Sequence, residues 1–212
     1  FTVSDQNLVG GAGNDTFTNT ALAQADTIDG GDGTDTISTD NTDAHTLDDS
    51  TTSNITNVET LSISDAFDGT LVTTSVASSI NTVTLAYGHA SIALATGSDD
   101  AITGPAGSLT VNLGSSGAGY GNALAGGFTF TDTGSASTDS LTIDNKMINS
   151  TTGARVNVFA AQAFTSTGYE NVTIDTGAGT GNVEATISTL TITGDDDSAD
   201  QTLTIRGAQG ID

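Results

Sequence analysis

The sequence predicts an all-β protein wound as a parallel β-roll or β-solenoid, and three observations carry that prediction. Short apolar runs alternate with Thr, Ser or Asn. A turn–Asp–strand unit recurs along the chain. Near the N-terminus a nine-residue phrase occurs twice, as GGAGNDTFT (10–18) and GGDGTDTIS (30–38).

The alternation is plain in ETLSIS (59–64), NTVTLA (81–86), ASIALA (90–95), LTVNLG (109–114), FTFTD (128–132), LTIDN (141–145), RVNVF (155–159), NVTID (171–175), TLTITG (189–194) and TLTIRG (202–207). Period two is the mark of a half-buried strand. Thr is β-branched and suits the outer face of a sheet. The runs follow one another at roughly 10–20 residues, the length of a strand plus a turn. Helical signals are weak: TTSVASSI (73–80) and VFAAQAF (158–164) each suit one or two turns, and neither sustains a 3.6-residue period.

The recurring unit is an Asp, one or two small polar residues, then an apolar residue. It appears as Asp15-Thr16-Phe17, Asp26-Thr27-Ile28, Asp35-Thr36-Ile37, Asp100-Ala101-Ile102 and Asp139-Ser140-Leu141, and more loosely as Asp200 before Leu203. Repetition of such a unit predicts stacked coils, each burying its apolar face on the next. A β-sandwich also yields short strands between Gly turns. Residues 1–50 are therefore assigned to a roll, and residues 51–212 to a Thr/Gly-rich strand region that continues as an irregular solenoid or forms a sandwich. The boundary is placed at DNTDAHTLDDSTTS (40–53), where apolar content drops. Beginning at Phe1 and stopping on the turn-like GAQGID, the chain reads as a piece of a longer one.

Composition narrows the partners. The 212 residues carry 26 acids against three bases, Lys146, Arg155 and Arg206, for a net charge of −23. Nucleic acid and anionic membrane surfaces would be repelled; cations are the natural counterpart. Almost every acid is Asp, which favours turns and binds hard cations, whereas Glu favours helices. Cysteine is absent, so neither disulfides nor thiolate metal sites are available; that suits a cytosolic protein, or a secreted one stapled by metal instead. No apolar run approaches the ~20 residues of a membrane-spanning helix.

In the duplicated phrase, glycines permit positive φ and tight turns with carbonyls directed inward, Asp closes the turn, and Phe17 or Ile37 starts a short strand. Calcium takes six to eight oxygens, which Asp carboxylates and turn carbonyls supply. Two carboxylates ~4 Å apart repel by about 1 kcal/mol in water and more near a protein surface. A divalent ion reverses that sign, so metal binding here is expected to be folding energy.

These residues resemble the RTX nonapeptide repeat of secreted bacterial calcium-binding proteins, whose fold is a parallel β-roll. The resemblance implies calcium held between stacked turns, with the carboxylates of Asp15 and Asp35 and the carbonyls around Gly11, Gly13, Gly31 and Gly33 as ligands. The phrase between the copies, NTALAQADTID, keeps only the Asp26-Thr27-Ile28 ending, so a site on the opposite flank rests on Asp26 with Asp5 and Asp43. Asp195, Asp197 and Asp200 form a second expected calcium cluster, without the loop Gly and closing Glu of an EF-hand. NVETL (57–61) is similar to a phrase of bacterial surface-layer proteins that carry RTX repeats.

Signs of catalysis are lacking. His45 and His89 belong to no His-Glu-x-x-His motif and read as solvated loop residues; there is no Gly-x-Ser-x-Gly elbow. The glycine runs GSSGAGYGNALAGG (114–127) and TGAGTGN (176–182) lack the Lys of a phosphate loop. A glycosidase carboxylate pair is disfavoured by 5% aromatics and no Trp to stack a sugar. A non-enzymatic role is expected: a calcium-dependent segment of an extracellular bacterial surface layer, exported by type I secretion as the resemblance implies. Its partners would be calcium, copies of itself, and cell-surface polysaccharide engaged through parts outside this sequence. The alternatives are a calcium-rigidified adhesin stalk and the calcium tract of a secreted enzyme.

Overall fold

The computed structural model describes residues 6–18, 22, 25–48, 54–65, 67–86, 100–114, 127–136, 138–146, 162–177, 187–194 and 200–207. Strands stack in parallel into three sheets. The largest has eight, in the order β2 (Thr16–Thr18), β4 (Thr36–Thr39), β6 (Thr60–Ile63), β8 (Thr82–Leu85), β10 (Ser108–Leu113), β12 (Ser140–Asn145), β14 (Asn171–Asp175) and β16 (Thr202–Arg206). A three-stranded sheet holds β1 (Asn7–Val9), β3 (Thr27–Asp29) and β5 (Ile55–Thr56). A five-stranded sheet holds β7 (Thr70–Val72), β9 (Asp100–Thr103), β11 (Phe128–Thr131), β13 (Gln162–Thr167) and β15 (Ile187–Thr193).

Odd and even strands thus alternate between walls, and each strand pairs with the equivalent one a coil later. Every pairing between named strands is parallel, which makes the fold a β-solenoid and removes the sandwich alternative for the described residues. The boundary expected at 40–53 falls on helix α1 (Asn41–Asp48), and β4 pairs directly with β6 across it.

Period-two sequence becomes ladder geometry. One inward row runs Phe17, Ile37, Leu61, Val83, Val111, Ile143, Ile174, Ile205, each in register with the next. Ile37 through Ile174 are buried, whereas Ile205 on the last rung is 48% exposed. The position just before is a row of eight threonines: Thr16, Thr36, Thr60, Thr82, Thr110, Thr142, Thr173 and Thr204. Their outward side explains why Thr dominates the sequence. From the five-stranded wall, Phe128, Phe130 and Phe164 stack at centroid distances of 4.7 and 6.0 Å, and Phe67 meets Phe128 at 5.9 Å.

Coil length is not constant. Equivalent residues lie 20 apart at Asp15 and Asp35, 24 at Asp35 and Glu59, 28 at Thr84 and Asn112, 32 at Ser108 and Ser140, and 31 at Asp175 and Arg206.

Three local expectations change. Residues 41–48, within the expected boundary of low apolar content and given no helix there, form α1: Asp40 caps it by accepting the Asp43 amide at 2.9 Å, and Ala44 and Leu47 are buried three residues apart. The apolar stripe is too narrow to register as a helical period, and packing on β7 and on the single-turn α2 (Thr73–Val76) completes it. His45 is half-buried on α1, against Phe67 at 5.9 Å with its Nε2 2.6 Å from the Asp68 carbonyl, so it is not a solvated loop residue. Residues 162–164, expected to be helical, open β13, because β11 and β15 offer pairing on both sides. The expected strands at 90–95 and 155–159 lie outside the described residues, as does His89.

Candidate metal centre

The two Gly-Gly-x-Gly-x-Asp turns lie directly on one another. The Gly10 amide donates to the Asp29 carbonyl, the Asp32 amide to the Gly11 carbonyl, the Gly13 amide to the Asp32 carbonyl, and the Thr36 amide to the Asp15 carbonyl, at 2.7–3.0 Å. Ala12 and Asp32 form a parallel bridge. Contact is close enough to require glycine. A Cβ on Gly30 would overlap the Asn57 carbonyl oxygen, and one on Gly33, whose φ is +143°, would overlap the Gly13 carbonyl oxygen. The carbonyls of Gly11 and Gly13 thus point along the stack toward the next coil, which corrects the expectation that they are directed inward in their own turn.

Asp15 and Asp35 occupy the same place in successive turns. Asp15 Oδ2 accepts the Gly11 amide at 2.7 Å. Asp35 is 0% exposed; its Oδ1 accepts the Asp15 amide at 2.7 Å, and its own amide donates to Glu59 Oε2 at 2.8 Å. Asp35 Oδ2 is buried with no hydrogen-bond partner. The residue preceding the threonine row is therefore Asp15, Asp35 and Glu59 in the early coils, then Asn81, then Leu109, Leu141, Val172 and Leu203. A carboxylate column at the N-terminal end gives way to an apolar one.

Asp26 plays the same part on the other wall. It is 4% exposed and its Oδ1 accepts the Gln6 amide at 2.8 Å. Asp43, on α1, accepts the Leu22 amide at 3.1 Å, and Asp5 lies outside the described residues. Asp26 and Asp35, which open strands, have a mechanical role that sequence reading missed: each ties down an amide of the coil before it, whereas Asp15 and Asp139 bond an amide of their own turn. The Asp-Thr-apolar phrase, repeated at strand starts, was the available signal.

Of the C-terminal cluster, Asp195 and Asp197 lie outside the described residues, and Asp200 is exposed. Among the described residues no three His, Cys, Asp or Glu side chains converge to hold a metal. A cation between the N-terminal turns would therefore draw on the two aspartates and on carbonyls. The donor set fits calcium: it is all oxygen, and Asp35 Oδ2 is a buried carboxyl oxygen with no hydrogen-bond partner. Asp35 Oδ2 lies against Gly30, where a Cβ would come within 2.6 Å of it, and the Gly11 carbonyl already accepts the Asp32 amide.

The described bases lie elsewhere, on the outer face of the eight-stranded sheet. Lys146 is paired with Asp144, and Arg206 Nε donates to Asp175 Oδ2 at 2.8 Å. Neither neutralises the carboxylate column. No protein-family model, curated protein or solved structure matches the chain.

Proposed function

We propose that this chain is a calcium-dependent, self-assembling segment of an extracellular bacterial surface layer. The observation that carries the calcium part is the buried, unpartnered Asp35 Oδ2 between two stacked Gly-Gly-x-Gly-x-Asp turns. Calcium there supplies positive charge where the coil stack concentrates carboxylates, which rigidifies the first coils. Asp15 and Asp35 bind it, and the glycines let the turns come close enough for both to share one ion. Assembly rests on the −23 net charge, which gives acidic flanks that a divalent ion can bridge between copies. The resemblance of the turns to RTX repeats, and of NVETL to surface-layer phrases, supports an extracellular reading.

Electron microscopy of the purified chain in a calcium chelator and in millimolar calcium tests this reading. Ordered sheets that form only with calcium are the expected result. Discrete rods in calcium that attach to a surface would move the assignment to an adhesin stalk, and activity confined to the full-length protein would mark the calcium tract of a secreted enzyme. Identical, unassembled particles in both conditions would overturn it.

A further inference from the structure

A second pair of carboxyl groups lies at the corner between β11 and β12. Asp132 follows β11 and Asp139 precedes β12, and they are only 8% and 2% exposed. Asp132 Oδ2 accepts the Gly134 amide at 3.0 Å, and Asp139 Oδ2 accepts the Ala136 amide at 3.3 Å. Both Oδ2 atoms converge over Gly134: a Cβ there would lie 2.8 Å from Asp139 Oδ2 and 2.9 Å from Asp132 Oδ2. One coil on, Gly168 stacks beneath, and a Cβ on it would come within 2.9 Å of Asp132 Cβ. Glycine at both places lets the backbone approach the carboxylates this closely.

Asp132 Oδ1 is buried and has no hydrogen-bond partner. Two facing carboxylates out of water cannot both hold charge without a counterion. The described bases, Lys146 and Arg206, are committed to Asp144 and Asp175. Among the described residues no base is left to serve as their counterion, and an all-oxygen donor set suits a hard divalent ion.

We propose that Asp132 and Asp139 bind a calcium ion at this corner, with Asp132 Oδ1 as the oxygen kept free for it. The two carboxylates provide the anionic oxygens and water completes the shell. The site lies outside both Gly-Gly-x-Gly-x-Asp phrases and does not depend on Asp15 or Asp35. Tyr169 is the natural reporter. It is fully buried on the next coil, and burial together with the charges of Asp132 and Asp139 raises its hydroxyl above the ordinary tyrosine range.

The test is terbium luminescence excited through tyrosine, with calcium as competitor, on the full chain and its variants. Emission that calcium displaces is expected to survive in Asp15→Asn/Asp35→Asn and to be lost in Asp132→Asn and in Asp139→Asn. Tyr169→Phe should lose the emission while keeping the calcium-induced rise in melting temperature, a result that does not depend on the Asn variants folding. Emission unchanged in Tyr169→Phe would overturn the proposal, as would Asn variants that fold, by circular dichroism, and bind terbium as the parent does. Loss in Asp15→Asn/Asp35→Asn alone would place the ion in the N-terminal turns and overturn the corner site while leaving the first reading standing.

Discussion

Asp35 holds Asp15 in place: the Oδ1 of the second accepts the backbone amide of the first at 2.7 Å, across one full coil. The same aspartates proposed to share calcium therefore brace the turn without it. Asp35→Ala leaves a part-buried amide unsatisfied and should cost about 1–3 kcal/mol. That loss is expected in denaturant titrations run in chelator. Asp35→Asn keeps an acceptor and should cost less, yet lose the calcium-induced gain in stability.

The glycines of the duplicated phrase should divide into two kinds. Gly11 has open space where a Cβ would go, and its φ is not in the left-handed region, so Gly11→Ala should change stability by no more than about 0.5 kcal/mol. Gly30→Ala would drive a Cβ into the Asn57 carbonyl and should prevent the first coils from stacking. Thermal melts of the two variants side by side check this, and equal effects would contradict the coil contact.

Along the inward row, Ile37 is fully buried between Phe17 and Leu61. Ile37→Ala should cost about 2–5 kcal/mol, and Phe130→Ala, from the middle of the stacked aromatics, about 3–5 kcal/mol. Each is measured by equilibrium denaturation at fixed calcium.

In chelator, Asp132 should make stability depend on pH in an unusual direction for an acid. Its carboxyl is raised from 3.8 to about 6 in the folded chain, chiefly by burial. Folding therefore favours the protonated form. The contribution is full below 3.8 and is lost as pH rises through about 6. Asp132→Asn, which mimics the protonated group, should be the more stable protein above pH 6. The difference between the two pH–stability curves isolates this group from the other acids.

The strands were readable because a solenoid writes each coil as one alternating run: TLSI, TVTL and FTFT appear as β6, β8 and β11 with the predicted faces buried. The stacked turns were readable because the phrase is duplicated with its Asp in the same place. Helix α1 was not, since Asn, Thr and Asp are poor helix formers and only Ala44 and Leu47 face the core; the Asp40 cap and tertiary contacts decide it. Asp132 and Asp139 were not read as a pair because seven positions separate them in a Gly-Ser-Ala-Ser stretch. Only the return of the chain at Gly134 brings their oxygens together, although an Asp at each end of such a turn was a usable hint.

Circuit length varies along the described stack, from 20 residues between Asp15 and Asp35 to 32 between Ser108 and Ser140 and 31 between Asp175 and Arg206. The threonine row and the apolar row stay in register through every one of those rungs. The eight-stranded wall therefore acts as a fixed ruler, and the freedom to gain or lose residues lies in the returns between walls.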